Sequence, residues 1–187
     1  GMTEIDVGGT KNSKAVQAFG GTVTLEGLSA KTNAASEDAA ALFAQNDGHI
    51  RVNMKGSNPG DSAVALDGNI AAKDAASRVE VGLRGEASHF KGLAYGDGTI
   101  NMWLQKDAVW QNGKQGALLP TGFTGSHISR FVGGPSSDRA GAIFQNDDKN
   151  ITIDTYHGYT KVFFAHDSVT PTNIKGGDIV IGKALGG

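Results

Sequence analysis

Apolar and polar residues alternate one by one in several short stretches of the chain. In residues 50–55, the apolar positions 50, 52 and 54 alternate with the polar positions 51, 53 and 55. The same alternation begins at Val23, Val79, Ile100 and Ile151. A period of two is typical of a β-strand with one buried face and one outward face, so these stretches are predicted to be strands.

Residues 142–153 repeat a pattern that the chain has already used in residues 41–52. Each copy has an apolar run that ends in Phe43 or Phe144, a polar turn that contains Gln-Asn-Asp, and then a strand. We predict a strand for both apolar runs, although Ser36 and the acidic residues after it would also suit the start of a short helix. Repetition of such a unit is typical of a solenoid, because one unit alone cannot bury its apolar face.

The predicted strands recur at a bounded spacing. Successive strand starts lie 21 to 29 residues apart, as in stacked repeats, and they are Val23, Ile50, Val79, Ile100, Ile128, Ile151 and Ile179. We therefore predict an all-β fold, a parallel β-helix of about six to seven coils, that occupies residues 1–187 as a single domain. The alternative is a β-sandwich, in which turn signals would recur about every 8 to 12 residues.

Stacking of these strands would place their inward side chains in two rows. The first row contains Val23, Ile50, Val79, Ile100, Ile151 and Ile179, and the second contains Leu25, Val52, Val81, Met102, Ile153 and Ile181. The outward positions of the same strands are Thr24, Arg51, Asn53, Glu80, Arg84, Asn101, Trp103 and Gln105. Between residues 106 and 134 the pattern is irregular, which predicts an insert with one strand near residues 128–132.

The composition indicates many turns and removes several classes of function. Glycine makes up 28 of the 187 residues, about twice the usual share, whereas proline makes up only 4, which favours many tight turns. The formal net charge of -2 gives no basic face for nucleic acid. The chain has no cysteine, which excludes disulfides, cysteine-ligated zinc and thiol catalysis.

The ends of the sequence bear on partners and on the membrane. No run approaches the roughly 18 apolar residues of a membrane helix, so we expect no membrane insertion by this segment. Gly1 before Met2, and an ending without a polar cap at residues 181–187, indicate a fragment excised from a larger protein. An uncapped strand edge pairs readily with another chain, so we expect end-to-end self-association.

The histidines and one acidic stretch are the positions at which a metal could bind. No histidine has the sequence spacing of a metal site, and we expect solvent-facing turn positions for all five, which are His49, His89, His127, His157 and His166. Residues 147–150 are predicted to form a turn with Asx-type hydrogen bonds rather than a calcium site. The sequence therefore predicts no metal centre.

Acidic residues on the predicted outward faces give no support for an enzyme. A polysaccharide-cleaving β-helix would be expected to cluster acids on one strand face, whereas Glu80 and Asp154 are isolated. Phosphate-binding glycine loops and Gly-x-Ser-x-Gly nucleophile elbows are also absent from the sequence. We therefore predict a protein that is not an enzyme and that uses no cofactor.

Two tryptophans are the candidate ligand-binding residues. Trp103 occupies a predicted outward position, and Trp110 follows seven residues later. An outward indole can stack on a sugar ring or anchor a protein contact. The alternative is that both tryptophans pack beneath the irregular residues 111–134.

Residues 98–113 resemble the repeated units of autotransporter passenger domains, in which a strand is followed by Ala-x-Trp and then by Asn-Gly. Residues 15–25 and 41–54 are similar to the coils of the same proteins, and residues 131–153 resemble modules of large bacterial surface proteins. The resemblance implies a right-handed parallel β-helix that is extracellular, on the bacterial cell surface. It would be attached there through an outer-membrane β-barrel that is not present in this chain.

The same resemblance implies a function. It predicts a non-enzymatic segment of an adhesin that mediates adhesion to host or neighbouring-cell glycans or proteins, or that spaces a distal binding region from the membrane. Two alternatives remain open, a polysaccharide-active β-helix enzyme of the lyase or hydrolase type and an inert stalk. Release of new sugar ends would identify the enzyme, and the lack of any ligand would identify the stalk.

Overall fold

The computed structural model describes residues 2–7, 13–32, 38–114, 119–165 and 176–186. These residues form β-strands, one 3-10 helix at Ser137–Arg139, and no α-helix. The strands are β1 (Met2–Val7), β2 (Lys14–Phe19), β3 (Thr22–Leu25), β4 (Gly27–Thr32), β5 (Ala40–Gln45), β6 (His49–Val52), β7 (Met54–Lys55), β8 (Asn58–Pro59), β9 (Val64–Asp67), β10 (Ile70–Ala72), β11 (Arg78–Arg84), β12 (His89–Lys91), β13 (Ala94–Tyr95), β14 (Thr99–Gln105), β15 (Val109–Asn112), β16 (His127–Val132), β17 (Gly141–Gln145), β18 (Ile151–His157), β19 (Thr160–Phe164) and β20 (Ile179–Ala184).

Three parallel sheets contain nearly all of these strands. Sheet A has the order β1-β4-β9-β12-β15-β17-β19, sheet B has the order β13-β10-β5-β2, and sheet C has the order β20-β18-β16-β14-β11-β6-β3. Strands β7 and β8 form a separate antiparallel hairpin. The all-β prediction is therefore confirmed, and the parallel pairing contradicts the antiparallel β-sandwich that was the alternative.

The order in which the chain visits the sheets is regular. From β2 to β15, apart from the β7–β8 hairpin, consecutive strands enter sheet B, then sheet C, then sheet A, and the cycle starts again. After β15 the described strands alternate between sheets C and A. Long parallel sheets built from such consecutive short strands are compatible with a solenoid.

The repeated sequence pattern corresponds to two different pairs of strands. Residues 41–52 form most of β5 and all of β6, and residues 142–153 form most of β17 and the start of β18. Both second strands lie in sheet C, but β5 belongs to sheet B and β17 to sheet A. The predicted strands are confirmed, although the alternative helix start at Ser36 lies outside the described residues. The second half of the repeated pattern therefore corresponds to a strand of sheet C in both copies, whereas the first half corresponds to strands of different sheets.

Register in sheet C follows the predicted rows over its first four strands. Val23, Ile50, Val79 and Ile100 lie opposite one another, as do the residues of the second row up to Met102. These side chains are buried from β6 to β14, and each apolar side chain of this size stabilises the fold by about 1.5 to 3 kcal/mol.

Beyond Ile100 and Met102 both predicted rows are wrong, although Ile151 and Ile153 do lie opposite Ile179 and Ile181. Met102 lies opposite Phe131, which in turn lies opposite Tyr156, whereas Ile153 lies opposite Ile128. The cause lies in β16, where Ile128 and Phe131 stand three residues apart and are both fully buried. Strict alternation fails in this strand, and the row shifts accordingly. The strand predicted near residues 128–132 is itself confirmed.

The segment predicted as an irregular insert contains regular structure. Residues 106–134 include β15 of sheet A and β16 of sheet C. Beside β13, the last strand of sheet B, a buried polar network fills the space: Ser126 Oγ donates to Asn112 Oδ1 (2.6 Å), and Asn112 Nδ2 donates to Gln145 Oε1 (2.7 Å). Ser126 Oγ also accepts a hydrogen bond from the Ala94 amide at 3.0 Å. Side-chain hydrogen bonds thus satisfy buried polar groups beside β13, where a fifth strand of sheet B would otherwise stand.

Sheets A and C end in strands that expose large apolar side chains. Strands β19 and β20 are the last in their sheets, and no described strand pairs with their outer edges. Ile181, predicted in an inward row, is 41% exposed because no further strand covers it. The exposed large apolar residues on these two strands, which we call the end surface, are Val162, Phe163, Phe164, Val180 and Ile181.

The described part of the chain contains no helix with the length and apolar character needed to span a membrane.

Candidate functional site: a groove on the outer face of sheet C

A groove of about 920 Å³ lies on the outer face of sheet C. Its floor comes from β11, β14 and β16, and its two walls come from the β7–β8 hairpin and from the segments that follow β16 and β18. Volumes of about 300 to 1,000 Å³ are typical of small-ligand sites in proteins. The groove is therefore large enough to hold a ligand of several linked rings.

The floor is built from outward side chains that the parallel register places side by side. One row contains Glu80, Asn101 and Arg130, each opposite the next. Neighbouring strands lie about 4.8 Å apart, so these three side chains can contact one ligand together. The residues that follow them, such as Met102 on β14, point inward and are buried in the core.

The second floor row has a gap that lets the hairpin close over the sheet. It contains Gly82, Trp103, Val132 and, on β18, His157. A Cβ atom on Gly82 would lie 2.6 Å from the carbonyl oxygen of Asn53 and 2.8 Å from Cβ of Pro59 on the hairpin. Because glycine stands here, the hairpin packs directly on β11 and forms the first wall.

Polar contacts hold the hairpin in place. Asn53, predicted to point outward to solvent, is only 3% exposed because the hairpin covers it. Its Nδ2 donates to the carbonyl oxygens of Gly60 (3.2 Å) and Gly82 (3.0 Å). Arg51 donates one hydrogen bond to the Gly56 carbonyl and another to Glu80 (2.9 Å). The hairpin is thus fixed to two strands of sheet C.

The second wall is formed by two chain segments that meet after β16 and β18. The Gly134 amide donates to the Tyr159 carbonyl at 2.9 Å, and the Tyr159 amide donates back to the Gly134 carbonyl at 3.0 Å. A Cβ atom on Gly133 would lie 2.4 Å from the Tyr159 carbonyl oxygen, so glycine permits this approach. Gln105 on the floor donates from Nε2 to the Gly133 carbonyl at 2.9 Å and ties the wall to β14.

Trp103 lies in the groove, as an outward position of β14 requires, but little of its surface is exposed. The side chain lines the groove and is 6% exposed. Its neighbours in the row explain the burial: the hairpin closes over Gly82 on one side, and Val132 lies on the other. The indole therefore supports the floor and presents only a small part of its surface to a ligand.

Trp110 lies in the core. It is fully buried on β15 of sheet A, where its ring stacks on that of Phe90 with 5.6 Å between centroids. Its Nε1 donates to the Gly92 carbonyl at 3.1 Å, so the polar atom of the indole is satisfied. In this arrangement the indole is out of reach of a ligand in solution. The structure thus brings Trp103 to the groove and leaves Trp110 apart from it.

Several groove residues were not predicted as site residues. Arg78, Arg130, His157 and Tyr159 all line the groove. Arg130 was missed because strict alternation from the buried Ile128 would point it inward, whereas the irregular β16 turns it outward and exposes it. Nδ1 of His157 is buried and forms no hydrogen bond with any residue of the described ranges.

The histidines lie on strands, which corrects the prediction that they occupy turns. His49, His89, His127 and His157 belong to β6, β12, β16 and β18, and His166 lies outside the described residues. His89 Nε2 lies 2.8 Å from a carboxylate oxygen of Asp67, and His127 Nε2 lies 2.8 Å from one of Asp154. Within the described ranges, no group of three or more His, Asp or Glu side chains is arranged to hold a metal ion.

The acidic stretch at residues 147–150 forms the predicted turn. The Lys149 amide donates to Oδ2 of Asp147 at 3.1 Å, which is the Asx-type hydrogen bond that was expected. Asp147 is 8% exposed, and burial is the main cause that raises the pKa of its carboxyl. Its role in the structure is therefore that of a partly desolvated turn residue.

Comparison of the chain with family models, with curated proteins and with solved structures gives no match.

Proposed function

We propose that the chain folds as a right-handed parallel β-helix of about six to seven coils, which pass through sheets B, C and A up to β15 and through sheets C and A after it. The regular order of sheets B, C and A from β2 to β15 supports this architecture. Crossover connections between parallel strands of one sheet are right-handed in about 98% of cases, which supports the handedness.

We infer that the protein is a non-enzymatic segment of an autotransporter adhesin, displayed outside the bacterial cell, and that it binds a glycan in the sheet C groove. The observation that carries this proposal is the groove floor, where Asn101 and Arg130 stand side by side on paired strands next to Trp103. Planar polar groups suit sugar hydroxyls, and the small exposed part of the Trp103 indole adds an apolar contact. Rigid strands keep these groups in place before binding.

The two alternatives make different demands on the same groove. A glycoside hydrolase of the usual kind needs two carboxyl groups on either side of the scissile bond. Among the described residues that line the groove, Glu80 is the one carboxylate, and it is paired with Arg51 at 2.9 Å. This favours binding over hydrolysis. An inert stalk would need no groove of this chemistry at all.

A binding screen with a parallel activity assay tests the proposal. The purified protein is presented with a panel of glycans and extracellular-matrix proteins, and newly released sugar ends are measured in the same samples. We expect saturable glycan binding without product, and a loss of at least about tenfold in affinity for Asn101→Ala, since it removes a floor group. Gln111→Ala, which removes an amide from sheet A, is the matched control and should bind normally. Product release would instead identify an enzyme, and silence in both assays would identify a stalk.

We also propose that the end surface defined by β19 and β20 associates with a second copy of the chain. The exposed apolar residues on these strands and the unpaired backbone edges in the described part support this proposal. A flat apolar edge strand is a ready template for pairing with another chain.

A further inference from the structure

Positive charge predominates in the sheet C groove. Arg78, Arg130 and Glu80 are the charged residues of its floor strands that line it. Glu80 is neutralised, because Nη1 of Arg51 lies 2.9 Å from its Oε1. Arg78 and Arg130 are both exposed and form no ion pair with any residue that the structure describes. Two cations without carboxylate partners are therefore left facing the same space.

Nearby acids do not compensate this charge. On the strands β11, β14, β16 and β18, the acids are Glu80 and Asp154, and Asp154 is engaged with His127 at 2.8 Å. Beside the hairpin, Asp61 is engaged with Arg84 at 2.7 Å. The whole chain has a formal net charge of -2, so the positive groove is a local feature rather than a result of overall charge.

Arg130 is the best placed of the two free cations. It is the last member of the first floor row, opposite Asn101 on one side and Thr155 of β18 on the other. Thr155 in turn lies opposite Lys183 of β20, so a second cation follows Arg130 along this line of paired residues toward the end of the sheet. A planar guanidinium with several donors pairs with an oxyanion through two parallel hydrogen bonds, whereas a neutral hydroxyl uses only one.

We propose that the groove selects anionic glycans, with an acidic group of the sugar paired to Arg130 and a neighbouring hydroxyl bonded to Asn101. The proposal deepens the glycan-binding function and rests on it. A carboxylate and a sulfate present the same kind of oxygen pair to a guanidinium. Both sources of negative charge are therefore included as separate arms of the test.

Calorimetric titration measures the affinity for each kind of glycan. A salt concentration of about 0.15 M is used because it screens long-range attraction between exposed charges. The probes are an oligogalacturonate, the same oligosaccharide with its carboxyl groups methyl-esterified, and a sulfated dextran oligosaccharide. We expect at least one anionic probe to bind about tenfold or more tightly than the ester, as loss of a charge-assisted pair predicts. Arg130→Gln should remove that preference. Arg139→Gln removes another exposed cation, which lies outside the groove, and should retain the preference.

Each outcome separates the inference from the function on which it rests. The tighter of the two anionic probes identifies carboxylate or sulfate as the preferred group, and either result supports the inference. If the methyl ester and the anionic probes bind equally, and Asn101→Ala abolishes that binding, anion selection is refuted and glycan binding is supported. Equal losses in Arg130→Gln and Arg139→Gln would mean diffuse charge attraction and would also refute it. If these probes do not bind but neutral glycans of the binding screen do, anion selection is refuted and glycan binding stands. If no glycan of the screen binds either, both anion selection and glycan binding are refuted.

Discussion

Arg51 and Glu80, which are 29 residues apart in the sequence, form an ion pair of 2.9 Å on the outward face of sheet C. Arg51 also bonds the Gly56 carbonyl in the turn of the β7–β8 hairpin. One side chain therefore joins the floor of the groove to its first wall. It also neutralises the carboxylate that would otherwise repel an acidic ligand.

Arg51→Met tests whether this pair holds the hairpin. The Arg51 and Glu80 side chains are 30% and 12% exposed, so the variant leaves a partly buried carboxylate without its partner. We expect the free energy of unfolding to fall by about 1 to 3 kcal/mol. Urea denaturation followed by circular dichroism measures it. Arg139→Met, which removes an exposed arginine of the 3-10 helix, should change it by less than about 0.5 kcal/mol, and an equal loss in both variants would contradict the assignment.

Ile151→Asp tests the register of sheet C. Ile151 is fully buried, and a carboxylate there would lose its hydration without gaining a partner. We expect the variant to be insoluble or destabilised by at least about 4 kcal/mol. Ile181→Asp is the matched control, because Ile181 is 41% exposed on the end strand and should tolerate the charge. Normal solubility and melting of Ile151→Asp would show that the register is wrong.

Asp147→Asn should raise stability at neutral pH. Burial raises the pKa of the Asp147 carboxyl in the folded state, so the folded protein holds this proton more tightly than the unfolded chain does. The contribution of Asp147 to stability is therefore greatest at low pH and is lost as the pH rises through the folded-state pKa. Asparagine remains uncharged and can still accept the Lys149 amide hydrogen bond.

Denaturation curves between about pH 3 and pH 7 measure this effect. The stability difference between Asp147→Asn and the unmodified protein should be small at the acidic end and should grow as the pH rises. Asp97→Asn, at an exposed turn position, serves as the control for loss of a surface carboxylate. The prediction would be contradicted if the stability gained by Asp147→Asn over the unmodified protein were smaller at pH 7 than at pH 3.

Self-association through the end surface should depend on its apolar side chains. Phe163 and Val180 are 49% and 46% exposed on the last strands of sheets A and C. We expect the mass from light scattering to rise with protein concentration, and the double variant Phe163→Lys and Val180→Lys to remain monomeric, since like charges oppose edge pairing. Thr152→Lys, an exposed change on β18, should associate as the unmodified protein does. A monomer at all concentrations would refute the association.

The sequence predicts the first part of sheet C well because its strands alternate strictly and start at regular intervals. Prediction of the register fails at β16, where Ile128 and Phe131 both point inward at a spacing of three. Strand β12 is only three residues long, too short for a period to be recognised. Its place became apparent only from pairing with neighbouring strands.

The groove was beyond prediction for a different reason. Its walls come from residues 54–59, 133–134 and 158–159, which are separated in sequence and meet only through the register of the sheet. Glycine at position 82 carries no sequence signal that a hairpin will cover it. Trp103 and Trp110 look equivalent in sequence, yet they belong to different sheets and only one of them lines the groove.

The separation of the two tryptophans gives the protein an internal optical reference. The chain has 2 tryptophans, so its indole fluorescence comes from Trp103 at the groove and Trp110 in the core. Trp110 is shielded by its stacking on Phe90 and should emit at a constant blue-shifted wavelength. A ligand that displaces water from the groove would change only the emission of Trp103. The ratio of the two signals therefore reports occupancy of the groove without any added label.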